Sequence, residues 1–450
     1  ERNVLLASMT DEVADHVLRD NYEQNVLIGN ARAQEHQMLP VHERLIHLLE
    51  DRGDLDRGLE FLPSDAELAA RSADGLGLKS PEFAVLVAYT KLALKHDLLE
   101  STLPDDPYFA DTLAEYFPQA LRDSYDAELA DHPLRREIIT NALANSMVNR
   151  GGITFVYRAG EETGASVEQV TRAFVVCREI FGLADWVRRI EALDNVVSTA
   201  AQTRLYLEFR RLLDRAVRWF LEARSGQLDI GAEIARFGPV VAQLAGQVPD
   251  LLKGGERQRL DERAAELAAQ GVPEDLALDA VTLLELYCLL DIVDICADTG
   301  REPAAVAPLY YSVSERFGID SMLNKVSMLP RGDRWDALAR GAMRDDLYAV
   351  LDSLTRAVLD NAGQEGRQTP EEQLAGWLEL NEDTVRRSEI STRGILRLDR
   401  PNIAALSVAL RTLRAVVRTT SCRRSAGSGT PDPAAFRGGA DRPVAGAQPL

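Results

Sequence analysis

Alternation of apolar and polar residues at period 2, the mark of a half-buried strand, is almost missing from this sequence. The one strand-like stretch is Ile153-Thr154-Phe155-Val156-Tyr157, rich in β-branched and aromatic residues. Cysteine is scarce. The four residues at 177, 288, 296 and 422 form no close pair, which excludes a disulfide framework and a zinc knuckle and fits a reducing cytoplasm. Lysine occurs only five times among 51 basic residues, against 71 acidic ones, for a net charge of −20. So acidic a chain argues against nonspecific nucleic-acid binding and against anionic membranes as partners. No apolar run approaches the roughly 20 residues of a membrane span, and no signal peptide is visible. None of the six histidines stands near a serine or cysteine in a nucleophile–base context.

What is present is one helix signal after another. Thr10-Asp11-Glu12 precedes an amphipathic run through Val13 and Val17, with Tyr22 and Val26 extending the stripe. Ser64 with Glu67 and Ser166 with Gln169 read as capping boxes, in which hydroxyl and carboxylate or amide reciprocally satisfy free amides. Ser80-Pro81-Glu82 reads as a cap followed by a first-turn proline. Gly182 closes the helix that Ser166 opens. Residues 198–225 keep Leu205, Phe209, Leu212, Ala216 and Phe220 near one face, and residues 333–362 do the same with Trp335, Leu338, Ala342, Leu347, Leu351, Leu354 and Val358. These patterns predict an all-α fold, a multi-helix array.

The adjacent glycines at 151 and 152 have two readings. Apolar or small residues recur every four positions at Ile139, Leu143, Met147, Gly151, Phe155 and Ala159. The row predicts one helix over 134–163, stopped at Gly164, with Gly151 as a point where a neighbouring backbone comes near. The rival is an anion-binding loop, against which stands the fact that phosphate loops open helices and do not interrupt them. Arg158 and Glu162, four apart, predict an intrahelical ion pair. The alternative for Asn149, Arg150, Arg158, Glu161 and Glu162 is a recognition patch for a carboxylate ligand or a neighbouring domain.

Several chemical motifs nearly form. His42 and His47 are five apart, so they diverge around a helix and miss the zinc spacing; they read as solvated histidines. Gly75-x-Gly77 with Lys79-Ser80 lacks the third glycine of a dinucleotide fingerprint and the glycine before lysine of a P-loop, and reads as an inter-helix turn. Cys288 and Cys296 read as small core residues. Asp291, Asp294 and Asp298 fall along one side of a helix, by default a solvated acidic stripe, with a divalent-cation site as the other possibility.

Four stretches together carry a resemblance: 2–25, 132–166 (with Asn149-Arg150-Gly151-Gly152 and Glu161-Glu162-Thr163-Gly164), 170–183 and 329–359. The chain resembles the C-terminal part of the large multidomain bacterial NAD-specific glutamate dehydrogenases, in order from Arg2 to about Ala415. The resemblance implies a parent enzyme that converts L-glutamate, NAD and water to 2-oxoglutarate, ammonium and NADH, as a cytoplasmic homo-oligomer. It implies that the catalytic lysine, the aspartate and the NAD-binding fold lie upstream, so that this chain is cut from something longer. No position here matches the family's catalytic residues. No catalytic, cofactor-binding or metal-ligating residue is therefore assigned, and NAD is expected to bind upstream of this chain, not on it.

The expected division is a terminal helix of the missing catalytic domain at 1–35, helical subdomains at 36–225 and 226–418, and a disordered tail at 419–450. The tail is rich in Gly, Pro, Ala and Arg without apolar period, and its abrupt onset suggests a frameshifted end. The expected partners are the upstream catalytic domain and further copies of the chain, with no nucleic acid and no membrane. The rival classes are a free-standing helical interaction module and a metal-dependent helical enzyme.

Overall fold

The structure, a computed structural model, describes residues 2–224, 226–329, 334–361, 369–398 and 402–427, with side chains as far as 419. Among these residues there are helices and turns and no strand. Two compact units divide the chain at 307/308.

Unit 1 runs through α1 (Arg2–Arg32), α2 (Glu35–Asp51), α3 (Asp65–Ala73), α4 (Ser80–Glu100), α5 (Ala110–Glu115), α6 (Gln119–Ala130), α7 (Arg135–Gly151) and α8 (Phe155–Thr163). It continues with α9 (Val167–Ile180), α10 (Leu183–Glu191), α11 (Thr199–Ala223), α12 (Ile230–Leu244), α13 (Val248–Leu251), α14 (Gly254–Ala268), α15 (Glu274–Thr282), α16 (Cys288–Thr299) and the start of α17 (Pro303–Phe317). The centre is α9, where Val170, Ala173, Phe174, Val175, Val176 and Cys177 are all fully buried. The run 173–177 is apolar on every side of the helix, so this part of it belongs inside, and α9 packs against α4, α8, α11 and α12. On α11 the stripe read from the sequence is the buried one: Leu205, Phe209, Leu212, Ala216 and Phe220 have no exposed surface.

Unit 2 holds the rest of α17 with α18 (Ile319–Ser327), α19 (Arg334–Asn361), α20 (Pro370–Leu380), α21 (Glu382–Leu396) and α22 (Ile403–Gly427). Its core is the packing of α19 on α22, with Leu347, Leu351, Leu354 and Val358 on one side and Leu406, Ala409, Leu413 and Val416 on the other. Trp335, expected on the buried stripe of α19, is 71% exposed because the stripe meets α22 only further along. α22 runs on to Gly427, past the expected start of the tail at 419; the remainder of that expectation, 428–450, lies outside the described residues.

The capping boxes at Ser64/Glu67 and Ser166/Gln169 form as expected. At α4 the cap is one residue early: Lys79 is the N-cap, its amide donating to Glu82 at 2.6 Å, and Ser80 is already helical. Thr10 does not start a helix either; α1 passes straight through it, and the hydroxyl donates to the carbonyl of Leu6. The polar stretch after 225, where the sequence suggested a break, is a connector inside unit 1. Arg224 at the end of α11 holds Glu233 of α12 and Asp294 of α16.

Candidate functional site: the charge network around the glycine pair

The single helix expected over 134–163 is broken. α7 ends at Gly151, and Gly152 takes φ 101° and ψ 164°, a backbone region open essentially to glycine alone. The chain turns and re-enters a helix at Phe155. The four-residue row survives the break because Phe155 folds back over Gly151. A Cβ on Gly151 would lie 2.5 Å from the Phe155 ring. The close approach is real, but its partner is this ring, not a neighbouring backbone. Glycine costs about 1 kcal/mol against alanine in a helix, less than the roughly 1.5–3 kcal/mol that burying a phenylalanine contributes, and Phe155 is buried against Phe174.

Ending α7 here leaves carbonyls without intrahelical donors. Arg210 of α11 supplies them: Nε donates to the carbonyl of Arg150 at 3.0 Å and a terminal nitrogen to that of Asn149 at 3.4 Å. A cation at a helix C-terminus also meets the negative end of the helix dipole. Burial pushes the Arg210 guanidinium down to about 10, Asp214 opposes the shift, and Arg158 and Arg150 add to it; it stays charged at neutral pH.

Around this cap the remaining charges pair across helices. Arg158 of α8 grips Asp214 of α11 through two bonds of 2.8 and 3.0 Å. Burial would lower the pKa of Arg158, but the attraction of Asp214 outweighs it and the net shift is upward. Glu162 pairs with Arg218 of α11, not with Arg158. The expected intrahelical pair is thus replaced by two interhelical ones, because α11 lays arginine and aspartate alongside α8. Glu161 takes both Arg44 of α2, at 3.2 Å twice, and the hydroxyl of Tyr157 at 3.0 Å.

On the other side Glu23 of α1 receives Arg150 of α7, the side-chain amide of Asn149 at 3.0 Å and Arg19 at 2.9 Å. Arg19 in turn holds Glu191 at the end of α10 at 2.5 and 2.9 Å. Burial first, and a hydrogen bond with Asp194 second, raise Tyr22 above its usual range; burial raises Tyr206 to about 12. Bidentate arginine–carboxylate pairs fix geometry well. The arginines stay charged through the working range. The network therefore clamps α1, α2, α7, α8, α10 and α11 together.

Residues 75–415 match the family model described as glutamate dehydrogenase, C-terminal. The chain belongs to this family. It is 44% identical over 93% of its length to the NAD-specific glutamate dehydrogenase of Mycobacterium tuberculosis, covering 26% of that protein. It is 40% identical over 86% of its length to the enzyme of the same name from Pseudomonas aeruginosa, and 38% over 85% to that of Halomonas elongata, covering 24% of each. The chain thus spans about a quarter of the length of the curated relatives it matches, and it is a C-terminal part of such a dehydrogenase.

Three other sequence-stretch readings meet this glutamate dehydrogenase region differently. His42 is not solvated. It is 3% exposed, edge-on to Phe83 at 5.2 Å, and burial with the charge of Arg158 lowers it to about 4. The acidic side of α16 is solvated only at its end: Asp298 is exposed, but Asp291 is buried and accepts from the Trp219 indole at 2.8 Å, while Asp294 takes Arg224 and Arg236. Cys288 is buried as expected and Cys296 is partly so.

The turn at Gly75–Lys79 is an inter-helix turn, and Gly77 is where a neighbouring backbone comes close. A Cβ there would sit 2.4 Å from the Glu35 carbonyl. Glu43, His47 and Asp65 bring ligand atoms within 4.8 Å of one another. This grouping is not legible in the sequence, because Asp65 arrives from α3. Asp65 already holds Arg57 at 2.6 Å and His47 at 2.9 Å, which keep its carboxyl below the usual range.

Proposed function

We propose that this chain is the non-catalytic helical C-terminal region of an enzyme that oxidatively deaminates L-glutamate with NAD, giving 2-oxoglutarate, ammonium and NADH. The observation that carries the reading is the network itself. Glu23, Glu161, Glu162, Glu191 and Asp214 each hold an arginine, so the densest polar cluster is spent on holding helices in place. The names of the relatives supply the reaction and the nicotinamide cofactor, which on this reading binds in the part of the enzyme upstream of Glu1.

The first half of α1 supports a mechanical role. From Arg2 to Arg19 no side chain is fully buried, and Val4, Leu6, Val13, Val17 and Leu18 are exposed. Glu12 ties this stretch to α6 through the Gln119 amide and Arg122, but a helical stretch so lightly covered is marginal in water. On this reading α1 is the strut on which the upstream catalytic domain rests, and the Glu23–Arg150–Arg19–Glu191 cluster anchors the strut to the helical mass. The assembly is then a cytoplasmic homo-oligomer; no described helix is long and apolar enough to cross a membrane.

The test uses the full-length enzyme with Val13→Asp and Val17→Asp together. The reading expects a lower melting temperature and weakened association between catalytic and C-terminal parts, with substrate KM values little changed. Unaltered stability and assembly would remove the strut from the account.

A further inference from the structure

We propose that the groove between α19 and α22 is a binding site for an aliphatic organic anion, a chain of several methylenes ending in a carboxylate or phosphate. The groove, open to solvent along one side, offers about 460 Å³, within the size range of small-ligand sites. Its floor and walls are aliphatic: Ala339, Ala342 and Met343 from α19, Ile403 and Leu410 from α22. Met343 and Leu410 are buried at the bottom. The small alanine side chains leave space between the two helices, and no aromatic ring lines the groove, which favours a flexible chain over a flat base.

The rim is cationic. Arg411, Arg414 and Arg418 follow one another at helical spacing along α22. Arg414 is committed to Asp346. Arg411 and Arg418 hold no carboxylate among the described residues, although the chain carries a net charge of −20 and elsewhere pairs its arginines densely. Two unspent guanidinium forks over an apolar floor complement an anionic head on an aliphatic tail. The site belongs wholly to unit 2, and its ligand would bind whether or not the chain works within a dehydrogenase.

The experiment is calorimetric titration of the purified chain with octanoate and with octyl phosphate, beside octanol and inorganic phosphate as the two halves of the ligand. Octanoate, octyl phosphate or both are expected to bind, and neither octanol nor phosphate alone is expected to match them. The double variant Arg411→Glu/Arg418→Glu is expected to weaken binding by roughly tenfold or more, the scale of one charge-assisted hydrogen bond. Ala342→Trp, at an exposed position on the wall, is expected to block it while circular dichroism stays unchanged. Preference for octanoate over octyl phosphate, or the reverse, identifies a carboxylate or a phosphate as the natural head. No binding by either amphiphile, equal binding of octanol, equal binding of bare phosphate, or unchanged affinity in both variants would overturn the proposal.

Discussion

His42 is the residue whose environment departs furthest from its sequence context. Its carboxylate neighbour and position on an amphipathic helix suggested solvent, but α4 places Phe83 against it and α8 brings Arg158 near. A histidine held at about 4, against an ordinary 6.5, binds fewer protons folded than unfolded between those two values. Stability therefore falls as pH drops through that window, by up to roughly 3 kcal/mol at about 1.4 kcal/mol per pH unit. Melting temperatures of wild type and His42→Leu between pH 7 and 5 check this: the variant should show a shallower decline.

Lys91 is the same case on the alkaline side. It is 7% exposed, and burial lowers it to about 8, with Asp20 and Glu23 only partly offsetting. The folded chain binds the proton less tightly than the unfolded one, so stability should rise between pH 8 and 10.5. Lys91→Met should raise the melting temperature at pH 7, with the advantage fading toward pH 10.5.

Among elements, the α7–α8 break decides the most. Gly152→Ala puts a Cβ 3.5 Å from Arg210, which is tolerable, at a φ of 101°, which is not. The expected loss is roughly 1–3 kcal/mol from backbone strain. Gly151→Leu must displace Phe155 and should cost at least as much through overpacking. Urea melts of the two variants check both values. Equal stability of both with wild type would mean that the break is dispensable.

The same region shows what could be read from the sequence. The four-residue row from Ile139 to Ala159 correctly identified the residues that share the core. It could not reveal the break, since a helix and a broken helix with a folded-back phenylalanine bury the same row. Capping at Ser64 and Ser166 was legible because both partners lie within four residues. The pairing of Arg158 was not. Asp214 is remote in sequence, and only the packing of α8 on α11 makes it a better partner than Glu162. Glu23, the hub of the α1 anchor, was equally invisible for the same reason.

At the scale of the whole molecule, the scarcity of strand patterning foretold a helical fold, and the 74–80 stretch forms the inter-helix turn that its spacing suggested. The family resemblance lay in stretches such as 145–166, where the glycine pair and the arginines impose a joint. Arg411 and Arg418 hold no carboxylate among the described residues, and both face an apolar groove, which gives the α22 rim its meaning.

The central claim is that the charge network holds helices and takes no part in the chemistry. The most direct test is the kcat of the full-length dehydrogenase carrying Asp214→Asn. Leaving the part-buried Arg158 without its counter-ion should cost roughly 1–3 kcal/mol of stability, while kcat at a temperature where the variant is folded stays within about twofold of wild type. A kcat lower by on the order of 100-fold, with melting temperature and assembly intact, is what a proton-transfer role would produce, and it would contradict the account.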